Sequence, residues 1–96
     1  MKFYRYTDIR YTDGVRVHLN EFNLVKETPK GYWIKHDWDW DDSDKRWVSK
    51  DGKNRYAYPT KKEAMVNFLA RKKRQIEILE YKLNDARMAL YYGEQI

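Results

Sequence analysis

Cysteine is absent from the 96-residue chain, which excludes a disulfide framework, a thiolate nucleophile and a Cys-ligated zinc site. Proline and glycine are scarce, two and four residues, and after Pro59 neither recurs before Gly93. The second part of the chain therefore carries no interior helix breaker. No apolar run approaches membrane-spanning length, and the opening Met1-Lys2-Phe3-Tyr4-Arg5-Tyr6 lacks the apolar block of a signal peptide, so no membrane partner is expected and the expected compartment is the cytoplasm. There are two histidines, the only serines are Ser43 and Ser49, and no glycine-rich phosphate loop is present. His18 and His36 fall on predicted strands without a paired carboxylate pattern, so the expectation is a protein with no catalytic residues, no metal and no cofactor.

What is present is charge and aromatic rings. Lys and Arg number 20 against 15 Asp and Glu, a formal net charge of +5, and the mean hydropathy of −1.06 is offset by 17% aromatic residues, including four Trp and nine Tyr. Such a chain has the apolar surface to fold and a bias towards anionic partners. At this length a single domain over residues 1–96 is expected, of α+β class: an N-terminal antiparallel sheet of four or five strands over 1–59, then a long amphipathic C-terminal helix over 60–92. Phe3 to Tyr11 forms the first strand, and Asp13-Gly14 makes a tight hairpin into Val15-Val17-Leu19, whose alternation with Arg16, His18 and Asn20 marks one buried face. The phase change to Phe22 and Leu24 after Glu21 predicts a bulge or a bend. Thr28-Pro29-Lys30-Gly31 is a turn before Tyr32-Trp33-Ile34, Arg46-Trp47-Val48 is a fourth strand, and Asn54 to Tyr58 is a candidate short edge strand that Pro59 ends.

Thr60-Lys61-Lys62-Glu63 matches a capping box, with the Thr60 hydroxyl accepting from the Glu63 N–H and the Glu63 carboxylate returning to the Thr60 N–H. Beyond it Met65, Leu69, Lys72, Ile76, Leu79, Leu83, Ala86 and Leu90 recur at alternating intervals of four and three. A helix of ~46 Å is longer than a sheet of ~20 Å strands can cover. Three arrangements satisfy this: a second copy pairs with the excess, the chain turns back near Asn84-Asp85, or the end of the helix is solvated. The first, a homo-oligomer through the C-terminal helix, is the expectation carried forward.

Arg71-Lys72-Lys73-Arg74 is the densest run of charge, spread by the helix around its circumference. Arg71 and Lys72 fall on or beside the apolar stripe near Asn67 and Gln75, facing a groove or, in the plainer reading, snorkelling into solvent. Arg55-Tyr56-Ala57-Tyr58 ends just before the helix N-terminus, whose free N–H groups attract anions. In a ligand-binding reading Arg71, Lys72 and Arg55 neutralise phosphates, Tyr56, Tyr58 and Trp47 stack on a base, and Asn67 or Gln75 bonds a base or ribose edge. In a packing reading the same rings roof the core. Asp37-Trp38-Asp39-Trp40-Asp41-Asp42-Ser43-Asp44 begins like an EF-hand loop, but Asp42 replaces its glycine and Val48 its final glutamate, which favours a flexible acidic loop between two strands, one that either screens the basic surface or meets a basic protein partner with Trp38 and Trp40 as anchors.

Gly31-Tyr32-Trp33-Ile34, Arg46-Trp47-Val48, the run from Arg55 to Ala64, Phe68 and Arg71-Lys72-Lys73-Arg74-Gln75-Ile76 together resemble a family of small uncharacterised phage and prophage proteins, over most of residues 15–80. The sheet-then-basic-helix order is similar in architecture to the Thoeris anti-defence sponges. That likeness implies a non-enzymatic counter-defence protein in an infected or lysogenic bacterial host, sequestering an anionic cyclic-nucleotide immune signal. A sequence-tolerant nucleic-acid binder and a protein-binding inhibitor of a host defence enzyme, acting through the acidic loop, are the alternatives.

Overall fold

The computed structural model describes residues 1–36, 44–52 and 54–96. Four strands, β1 (Lys2–Tyr11), β2 (Gly14–Glu27), β3 (Gly31–His36) and β4 (Arg46–Ser49), form one antiparallel sheet in the order β1-β2-β3-β4, followed by one helix, α1 (Lys61–Glu94). The architecture is α+β, as the sequence predicts. The acidic run at residues 37–43 lies outside the described residues; Val48, the twelfth position of its partial calcium pattern, is a buried core residue of β4.

Register decides which side chains share a face, because directly opposed residues point the same way. Phe3 faces Phe22, Leu24 faces Ile34, and Tyr32 faces Val48. These side chains make one apolar layer, with the Phe3 and Tyr32 rings 5.0 Å apart. The segment after β4 closes over it: Ala57 is fully buried, and the Tyr56 ring packs edge-on against Phe22 at 5.6 Å.

Two local expectations change. Val15 and Val17 are about half exposed, so their alternation does not mark a buried face. The cause is length: among the described residues β3 pairs with β2 only from Phe22 to Glu27, so from Gly14 to Glu21 β2 pairs with β1 alone, as a two-stranded arm whose tip carries Val15 and Val17. Register also runs unbroken through Glu21 to Leu24, and the irregularity sits at Val25. The phase change needs no bulge there, because the arm and the core bury different faces. The candidate fifth strand reduces to a single bridge, Tyr58 with Tyr4 of β1.

Thr60 caps α1, its hydroxyl oxygen accepting from the Glu63 N–H at 3.2 Å; the same hydroxyl donates to the Glu63 carboxylate at 3.0 Å, in place of the expected return to the backbone. The helix runs unbroken through Asn84 and Asp85, so the chain does not turn back there. Its sheet-facing residues are Ala64 and Phe68, which are buried, with Arg71 and Lys72 half-buried; of the predicted stripe Met65 and Lys72 are half-buried, whereas Leu69 is 48% exposed. From Lys73 onward every residue is exposed, a free rod of about 33 Å. Among the described residues, no helix is long and apolar enough to cross a membrane.

Gly31 has no room for a side chain, since a Cβ would collide with the Val48 carbonyl and the Trp47 ring, whereas Gly93 faces open space. Gly31→Ala is expected to destabilise the fold by about 2 kcal/mol, and Gly93→Ala to leave it unchanged or slightly more stable. Urea unfolding midpoints of the two variants check this.

Candidate functional site

β1 is an edge strand, and its outward N–H and C=O groups need partners. Tyr58 supplies two: the Tyr4 N–H donates to the Tyr58 carbonyl at 2.7 Å, and the Tyr58 N–H donates to the Tyr4 carbonyl at 2.9 Å. Pro59 ends this pairing and Thr60 starts the helix, so α1 runs alongside β1 from its first turn. The Phe68 ring then meets Tyr6, with centroids 6.4 Å apart. One turn later Arg71 donates through Nη2 to the Tyr6 carbonyl at 2.7 Å and through Nε to Asn67 Oδ1 at 2.9 Å. Lys72 pairs with the Asp8 carboxylate and donates to Gln75 Oε1 at 3.0 Å.

Four of the predicted ligand residues, Arg71, Lys72, Asn67 and Gln75, are thus brought together, as a clasp that holds helix to strand. The Asp8 carboxylate sits below its ordinary pKa, first because Lys72 hydrogen-bonds it, then through its own backbone N–H and the nearby cations. The other four are dispersed. Arg55 donates through Nε to the Gly52 carbonyl at 3.0 Å and lies 5.4 Å from the Tyr58 ring centroid. Tyr58 is buried, and a shallow groove connects it to Lys62, Val66 and Asn67. Trp47 packs over Gly31 on the face opposite Val48, three strands from the clasp. The first turn of α1 holds the Glu63 carboxylate, which makes it a poor seat for an anion.

Tyr56 has a different setting. The Arg5 guanidinium carbon lies 4.4 Å from its ring centroid and that of Arg46 lies 4.3 Å from it. Arg5 also donates to the Tyr56 carbonyl at 2.7 Å. Burial, then the charges of Arg71 and Arg46, push Arg5 below the usual arginine pKa, with the Tyr56 and Tyr58 rings acting in the opposite sense. Among the described residues no carboxylate pairs with either guanidinium. Arg46 is exposed, so this cluster opens to solvent. Neither arginine was among the site residues expected from the sequence, although parity held the signal: Arg5 is two residues from Phe3 and Arg46 two from Val48, so each shares a face with a core residue.

No protein family, characterised protein or solved structure matches the chain.

Arg71→Ala is expected to cost about 2 kcal/mol of stability, with Arg71→Lys recovering only part because an ammonium cannot span both acceptors; chemical denaturation reads both. Because the folded Asp8 pKa is depressed, its pairing stabilises the fold above the unfolded carboxyl pKa and loses that contribution as pH falls through the folded value. In Lys72→Met the Asp8 carboxyl titration, followed by NMR, should move up towards the ordinary carboxylate range.

Proposed function

We propose that the protein is a non-catalytic binding protein for a phosphate-bearing ligand of the nucleotide class, held on the sheet face where Arg5 and Arg46 flank Tyr56. One observation supports this above the others: two guanidinium groups converge on one ring with no carboxylate paired to them among the described residues. Crowded cations are relieved by an anion, and a planar guanidinium bonds phosphate through two N–H groups or stacks on a base. The half-buried Arg5 is fixed by the Tyr56 carbonyl, so it is positioned before a ligand arrives. Arg46, exposed at the β4 edge, supplies the accessible half.

This moves the phosphate-binding role from Arg71, Lys72 and Arg55, which are engaged within the fold, to Arg5 and Arg46. Tyr56 keeps a part in the site as the surface on which the two cations are stacked. Sequestration of an immune nucleotide signal is the role such a ligand would serve; that context rests on the architectural likeness to the sponges alone.

Titration calorimetry with pyrophosphate, ADP-ribose, a cyclic dinucleotide and a single-stranded oligonucleotide tests the reading. Saturable binding of at least one phosphate-bearing small molecule is expected, weakened about tenfold or more by Arg46→Gln and unchanged by Lys73→Gln with Arg74→Gln. Heat from the oligonucleotide alone, falling steeply with salt and abolished by the Lys73 and Arg74 changes, would establish polynucleotide binding through the helix instead.

A further inference from the structure

The free rod of α1 repeats its apolar residues at Ile76, Leu79, Leu83, Ala86 and Leu90, and the four large ones are each at least half exposed. Written as a heptad, Ile76, Leu83 and Leu90 take one core position and Leu79, Ala86 and Gly93 the other. The flanking position next to the second set is then Lys73, Glu80, Arg87 and Glu94, strictly alternating in sign. None of these four has an ion-pair partner within its own chain among the described residues.

We propose that this rod pairs with the same rod of a second copy, antiparallel, over about 20 residues. Antiparallel helices bring like flanking positions opposite each other, so alternation in sign selects the register. Placing Leu79 against the partner's Leu90, and Leu83 against the partner's Ala86, sets Glu80 beside the partner's Arg87 and Lys73 beside the partner's Glu94. Each pair occurs twice by symmetry. Sliding by one heptad towards the sheet sets Lys73 beside the partner's Arg87 and Glu80 beside its own copy, both repulsive. A parallel pair sets Lys82 beside the partner's Arg87 and stacks the runs Arg71 to Arg74 together, again repulsive. The chosen overlap involves only the exposed rod and puts the two sheets at opposite ends.

An overlap of about 30 Å by the width of one helix is at the small end of specific interfaces, near ~1,200 Å² in total. Dissociation in the micromolar range is expected. Sedimentation analysis of the full chain across a hundredfold dilution series should show a monomer–dimer equilibrium. Glu80→Lys alone and Arg87→Glu alone should each weaken it about tenfold. An equimolar mixture of the two single variants, or the double variant by itself, should recover the parental constant, because opposite charges face each other again. These positions are solvent-exposed, and circular dichroism verifies that the helix persists in each variant. A monomer at all concentrations, or a dimer whose constant ignores the charge reversals, overturns the proposal. Single variants that fail to rescue each other overturn the register.

Discussion

The unpaired edge of β1 is the constraint on which the rest of the structure depends. β1 begins the sheet and has β2 on one side only, so the outward groups of Tyr4 and Tyr6 would otherwise face solvent as a template for another strand. Tyr58 and Arg71 close it, one through backbone and one through a guanidinium. Tyr58 sits two residues before the helix cap, so closing the edge also fixes where α1 starts and along which strand it lies. Everything beyond this closure is then released: the tip of the hairpin arm at one end, and the rod after Lys72 at the other.

That geometry sorts the cations into separate roles. Arg71 and Lys72 fix helix to strand, and their bonds to Tyr6, Asn67, Asp8 and Gln75 hold both side chains against β1. Arg5 and Arg46 are drawn to the core face by strand parity and meet over Tyr56. Lys73 and Arg74 emerge on the rod, where they face solvent. A run of four successive cations is therefore two structural groups followed by two surface groups, divided at the point where the helix leaves the sheet.

The features legible in the sequence are those whose cause is local. The first hairpin forms where the sequence marks it, although its two loop residues are Thr12 and Asp13, with Gly14 opening β2 at a positive φ of 144°; Thr28 closes its turn by accepting the Gly31 N–H on its own hydroxyl at 3.0 Å, and Thr60 caps α1 from within the same turn. What was not legible depends on partners distant in sequence. Alternation at Val15 and Val17 indicates a strand but cannot reveal that β3 is too short to cover it. The heptad stripe identifies a helix and its length, yet the sheet selects Ala64 and Phe68, a neighbouring stripe, because the Tyr58 bridge sets the rotation of the first turn. Likewise Arg55, Tyr56 and Tyr58 are neighbours in sequence, whereas only Tyr56 turns to the Arg5 and Arg46 pair; Tyr58 is held by the β1 edge and Arg55 by Gly52.

Residue-resolved amide hydrogen exchange tests the closure of the β1 edge most directly. The account predicts that the Tyr4 and Tyr58 amides are protected to the same degree as those of Phe3 and Ile34 in the core, opening only with the whole sheet, while amides of the exposed rod exchange through local opening. Tyr4 and Tyr58 amides exchanging at the rates of an unstructured chain, with the core still protected, would contradict it.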